Sequence, residues 1–185
     1  MGVSEIEALL RAYVSFLELP WDQTLAGPQK VWFAIYEPSQ ERRLRLRLSE
    51  FEMATKNAGH SWSQLNLTDL FANWMAQHEY HEAYFEQPED MDLALQDFEN
   101  FVAQYIIEAL TKPDVDKNTV VAVFGLASLF GLTYASTIIE SVAPSIRGRL
   151  LVFFPGQRNG SNYRFLDARD GWNYLAVPIS GIEGE

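Results

Sequence analysis

The chain has 185 residues, 48% of them hydrophobic and 14% aromatic, enough apolar mass for one folded domain and too much for a disordered segment. Its 14 basic residues face 25 acidic ones, and the resulting formal charge of −11 argues against coating DNA or RNA, where nonspecific affinity comes from basic charge. The lack of cysteine removes disulfides, thiolate metal sites and a cysteine nucleophile, and it agrees with a reducing compartment.

The first residues, Met1 to Glu5, show neither the basic start nor the apolar run of a secretory signal. Ile6 stands where a myristoylation signal needs Ser or Thr, so a cytoplasmic location is expected. Ser4 and Glu7 have capping-box spacing at the head of a helix. Ile6, Leu9, Leu10, Tyr13, Phe16 and Leu17 form its apolar stripe. Pro20 and Gly27-Pro28 mark a loop, so residues 1–28 are expected to be an N-terminal helix and loop, and 29–180 the sheet-containing core of a single domain.

Val31 to Tyr36 is almost wholly apolar and reads as a central strand. From Ser39 to Ala58 the alternation of Leu44, Leu46 and Leu48 competes with a helical set, Leu44, Leu48, Phe51 and Thr55; the length of the segment and Gly59 at its end favour helix. His60 to Leu65 reads as the second strand, with a helix from about Leu67 to Gln77 capped by Asn66 and a long helix from Met91 to Leu110. Thr119 to Phe124 is the third strand, followed by an expected helix from about Leu126 to Ser141. The 21 uncharged residues from Thr119 to Ile139 could span a bilayer by length alone, but the β-branched run ending at Gly125 and the later Ser, Thr and Gly residues fit a buried strand and a packed helix better. Leu150 to Phe154 is the fourth strand, Pro155-Gly156 and Asn159-Gly160 are loop signals, and Tyr163 to Leu166 and Asn173 to Val177 add edge strands. Strands separated by helices predict an α/β domain with a mainly parallel, helix-covered sheet of about four or five strands.

Catalytic motifs are hard to place on this framework. A phosphate loop needs a lysine and a closely spaced glycine pattern after a strand, whereas Leu132 occupies the lysine position after Gly125 and Gly131. The dinucleotide-binding glycine fingerprint is missing. Ser128 lacks the glycines of a nucleophile elbow. His78 and His81, beside Glu82 and Glu86, could share a helix face and hold zinc, but their spacing is not H-E-x-x-H, and a solvated acidic surface is the simpler expectation. The expectation is therefore no enzyme activity, no cofactor and no metal.

Two segments have the composition of contact surfaces. Arg42, Arg43, Arg45 and Arg47 form a dense basic cluster in an acidic chain, with Glu41 and Arg45 placed for an i,i+4 ion pair of about 0.3–0.5 kcal/mol. Phe153 to Gly160 is a strand running into a turn-rich loop, and Arg158, Tyr163 and Arg164 add the arginine and aromatic character typical of interface anchors.

Tyr36-Glu37-Pro38 followed by Glu41 and Arg45, the residues Gly59 and Asn66-Leu67, the apolar strand ending in Phe124-Gly125, and above all Phe153-Phe154-Pro155-Gly156 resemble BrxB proteins of bacterial BREX phage-defence systems. The resemblance runs from the first strand to near the carboxyl terminus. It implies a small non-catalytic component that binds other BREX proteins: the PglZ phosphatase-like component first, or the large ATPase or the methyltransferase, with DNA contact left to those subunits and no membrane association. Arg43, Arg45, Arg47, Arg158, Tyr163 and Arg164 are the expected partner-binding residues. The alternative is a degenerate nucleotide-binding protein or small hydrolase using the turn at Gly125.

Overall fold

Three apolar runs organise the molecule: β1 (Val31–Tyr36), β3 (Thr119–Phe124) and the first part of β4 (Arg149–Asn159), every one of whose residues through Gly156 is buried. A strand that is apolar on both faces must be covered on both faces, which favours the interior of a parallel sheet. In a computed structural model, which describes residues 2–77, 86–166 and 171–181, these strands lie at the centre of a sheet ordered β2-β3-β4-β1-β7. β2 (Ser61–Asn66) and β7 (Val177–Ser180) form its edges, and all four pairings are parallel. The expected α/β architecture, with five strands in the parallel sheet, is what the chain adopts. Among the described residues, no helix is long and apolar enough to cross a membrane.

Alternate residues along each strand serve opposite faces. Trp32, Ala34 and Tyr36 pack with α1 (Glu5–Leu17), α2 (Glu41–Leu46) and α3 (Leu48–Asn57), together with Val120, Ala122, Leu151 and Phe153. Val31, Phe33 and Ile35 face α4 (Leu70–Gln77), α5 (Pro88–Leu110) and α6 (Ala135–Val142). Ser4 accepts the Glu7 N–H at 3.3 Å, as the capping spacing predicts, and Ile6, Leu9, Tyr13 and Leu17 form the buried stripe of α1. The segment from Glu41 to Asn57 is helical but breaks at Arg47, where φ is −111°.

Three expectations are corrected. The helix expected from about Leu126 to Ser141 does not follow β3 directly, because a short 3₁₀ turn, Leu126–Leu129, comes first and α6 begins only at Ala135. The helix after β2 starts at Leu70, since the Asn66 side chain accepts from both the backbone N–H and the hydroxyl of Thr68 and closes a local turn instead. β4 does not end at Phe154. It continues to Asn159, turns through Gly160 at φ 60°, and returns as β5 (Asn162–Phe165), which pairs with β6 (Trp172–Asn173).

Pro155 and Gly156 permit that continuation. β3 pairs with β4 only as far as Val152, so the missing N–H of Pro155 breaks no ladder with β3. Gly156 lies so close to β5 that a Cβ would come within 2.1 Å of the Arg164 carbonyl oxygen.

The α1–α3 interface contains a buried polar pair whose roles are fixed by geometry. Thr55 donates its hydroxyl proton to the Phe51 carbonyl at 2.7 Å, so the Tyr13 phenol donates to Thr55 Oγ1 at 2.6 Å. Tyr13→Phe removes a donor from an oxygen that keeps its own bond, whereas Thr55→Val strands a buried O–H. We expect a loss of about 1 kcal/mol for the first and about 1–3 kcal/mol for the second, with the double variant less destabilised than Thr55→Val alone. Denaturant titration of the four proteins measures this, and additive losses would contradict the assigned directions.

Candidate functional site

The carboxyl ends of parallel strands are where open α/β sheets usually bind ligands, at the point where the outgoing connections change face. Here the chain leaves β1 toward α2 on one face and leaves β2 and β3 toward the opposite face. The change falls between β1 and β4, and a notch of about 280 Å³ opens there, lined in part by Tyr36, Glu37, Gly156, Gln157 and Arg158.

Beside the notch, the residues of the Tyr36-x-Pro38-x-x-Glu41-x-x-x-Arg45 segment form one polar chain. Tyr36 ends β1 and donates its phenol to Glu41 Oε2. Glu41 Oε1 accepts from Arg45 Nε at 2.8 Å, and Arg45 Nη2 donates to Thr68 Oγ1 at 2.8 Å. The guanidinium also lies over the Phe124 ring, 5.5 Å from its centre, at the end of β3. The network thus ties the ends of β1, β3 and β2 together. Burial pushes the Tyr36 phenol well above its ordinary pKa, and the hydrogen bond to Glu41 and that carboxylate's charge add to the effect.

The turn after β3 is filled by the protein itself. Gly125 adopts φ 81°, and a side chain there would meet Thr68 Oγ1 at 2.6 Å and Asn66 Oδ1 at 2.9 Å. Ser128 folds back to donate to the Gly125 carbonyl at 2.7 Å. With a 3₁₀ turn after it and polar side chains against it, the turn presents no α-helix N-terminus for an anion.

The arginines expected to contact partners separate into different roles. Arg45 belongs to the network just described. Arg47 forms a two-pronged pair with Glu50, at 2.8 and 2.7 Å, which raises the arginine's pKa and lowers the carboxylate's. Arg43 on α2 and Arg158 and Arg164 on the β4–β5 hairpin are exposed. Tyr163 is only 2% exposed; its hydroxyl donates to the Ala176 carbonyl at 2.8 Å, and its ring packs on Phe33, so it supports the hairpin from inside instead of anchoring a partner. His78 and His81 lie outside the described residues. Among the described residues, no group of three or more His, Asp or Glu is placed to hold a metal ion.

The Glu41–Arg45 pair was visible from its spacing. Its extension to Tyr36 and Thr68 was not, because Thr68 lies 23 residues from Arg45 and is brought near by the β2–β3 pairing. No family model, curated protein or solved structure matches this chain.

The buried phenols make stability sensitive to alkali. Tyr13 and Tyr36 are raised far above the ordinary value of 10.0, and Tyr174 is pushed up to about 12 by burial and by the charge of Glu140. Above pH 10 the unfolded chain releases phenolic protons that the native state retains. Stability therefore falls as pH rises, by up to about 1.4 kcal/mol per pH unit for each such tyrosine. Denaturant titrations between pH 8 and 11 should show that decline, with a shallower slope for Tyr36→Phe. An unchanged slope in that variant would contradict the link.

Proposed function

We propose that this chain is a non-catalytic, BrxB-like adaptor of a bacterial BREX anti-phage complex, and that it binds other BREX proteins, the PglZ-like component first among them. The reading rests on the resemblance of Tyr36–Arg45 and Phe153–Gly156 to that family and on one feature of the surface. Arg42 and Arg43 lie three or four positions from Leu46 on α2, which puts all three on neighbouring parts of one helix face.

Leu46 is 75% exposed, and both arginines are exposed. An apolar side chain flanked by guanidinium groups has the composition of an interface anchor rather than of an ordinary solvated helix. The Tyr36–Glu41–Arg45 network supports this face from below, because Glu41 and Arg45 belong to the same helix. Arg158 and Arg164 extend exposed positive charge onto the hairpin that grows from the carboxyl end of β4. A partner with acidic and apolar surface would be oriented by these cations and held by Leu46.

Tagged chain co-expressed with the PglZ-like protein, the large ATPase and the methyltransferase of a BREX system should capture at least one of them. Arg43→Glu, Arg158→Glu and Arg164→Glu combined should weaken capture about tenfold or more while leaving a cooperative melting transition, because all three side chains are exposed and only Arg158 also bonds a buried group, the Tyr163 phenol. Failure of the unaltered chain to capture any BREX component, or undiminished capture by the triple variant, would overturn the proposal.

A further inference from the structure

A second and larger recess lies on the opposite side of the sheet from α2. It is a cleft of about 950 Å³ between α5, the loop entering α6, and the β5–β6 extension. Asp92 and Glu99 line its α5 wall, Phe130 and Tyr134 its loop wall, and Phe165 and Trp172 the extension. Among the described residues, none of its lining side chains is basic.

The helical side of the cleft carries charge of one sign. Residues 57–111, which include α4 and α5, contain ten Asp and Glu residues and no Lys or Arg. Clefts lined by one sign of charge concentrate ligands of the other sign. Glu99 is fixed in place by accepting the Tyr134 backbone N–H at 3.0 Å, and Glu140 accepts from Trp172 Nε1 at 3.0 Å. The acids therefore position the same elements that carry the aromatic rings.

The aromatic groups are unusually available. Tyr134 is 76% exposed and Phe130 44%, although Phe130 also packs edge-on against Phe165 at 5.7 Å. Aromatic faces next to carboxylates favour guanidinium and ammonium groups, which gain ring-quadrupole and ionic attraction together. A recess of this size exceeds what a single side chain fills, and the nearly buried rings of Phe154 and Tyr163 are also among its lining.

We propose that this cleft is a docking site for an extended, arginine- and lysine-containing peptide segment of a protein partner. A cationic side chain enters between Tyr134 and the Asp92–Glu99 wall, and the adjoining backbone lies across Phe130 and Trp172. The site is distinct from the arginine-bearing α2 face, has the opposite charge preference, and does not depend on the adaptor reading.

The test uses the full chain and three fluorescently labelled peptides of equal length: one alternating arginine with glycine and leucine, one with glutamate in place of arginine, and one with glutamine. The arginine peptide should bind, and binding should weaken as salt is raised; the other two should bind at least about tenfold more weakly. Asp92→Asn with Glu99→Gln should reduce affinity about tenfold or more; glutamine keeps the acceptor for the Tyr134 N–H. Tyr134→Ala should reduce it independently.

The control variant, Asp97→Asn with Glu108→Gln, removes the same charge from exposed α5 positions outside the cleft lining and should leave binding nearly unchanged. No binding of the arginine peptide at low salt overturns the proposal. Equal losses from the cleft and control variants also overturn it, because they indicate diffuse attraction to an acidic surface. Complete competition by millimolar spermidine, with no effect of Tyr134→Ala, would assign the site to a small polycation instead of a peptide.

Discussion

The parallel pairing of β1 with β4 is the contact on which the rest of the molecule depends. Six consecutive residues of β1 pair with β4, from Val31 opposite Leu150 to Tyr36 opposite Pro155, and both strands are buried along that length. Large side chains such as Phe33, Phe153 and Phe154 each contribute about 1.5–3 kcal/mol by leaving water. Neither face of this pair can be left solvated, so α1–α3 must close one side and α4–α6 the other. Along the central strands β1, β3 and β4, charged groups are consequently confined to the ends. The Tyr36–Glu41–Arg45–Thr68 chain lies at the carboxyl end for that reason, and Arg149, at the opposite end of β4, is accommodated by the Asp22 and Gly148 carbonyls and the rings of Trp21 and Trp32.

Continuation of β4 beyond that pairing gives the fold its asymmetry. A strand that stopped at Phe154 would leave the carboxyl end of the sheet open. Instead Pro155 still pairs with Tyr36 while Gly156 already pairs with Phe165 of β5, so a single strand passes from the parallel sheet into an antiparallel extension. Tyr163 returns from that extension into the core against Phe33 and Phe154. The same extension forms one wall of the acidic cleft and carries Arg158 and Arg164 outward.

The residues most legible in the sequence are those whose environment is set locally. The apolar runs at Val31–Tyr36 and Thr119–Phe124, the helical stripe of α1, and the Glu41–Arg45 spacing all follow from neighbours within one element. Misread segments are those decided from elsewhere. Leu126–Leu129 has the composition of a helix start, but Ser128 bonds back to Gly125 and also reaches the Leu67 carbonyl, which holds the segment in a tight turn. Pro155-Gly156 carries a turn signal, yet the proline stands where β3 has ceased to pair and the glycine is needed for the approach of Arg164. Tyr163 reads as a surface aromatic until Ala176, 13 residues later, supplies an acceptor for its hydroxyl. Arg47 similarly reads as free cationic surface, whereas Glu50, three residues on, takes up its charge.

Charge distribution follows the division of the two faces and explains why a net value of −11 describes neither of them. Residues 41–56 contain five basic and three acidic side chains, and the acids Glu41, Glu50 and Glu52 are paired with Arg45, Arg47 and Lys56. Arg42 and Arg43 therefore remain as excess positive charge on that stretch. On the other face, α4 and α5 lie in a stretch with no basic residue at all. A domain of this length has a radius of gyration of about 16 Å, roughly twice the screening distance of about 8 Å at physiological salt. Exposed charges further apart than that screening distance are largely hidden from one another. A group approaching α2 meets guanidinium charge despite the acidic total, and a group approaching the exposed acids of α5 meets the carboxylates of a stretch that holds no basic residue.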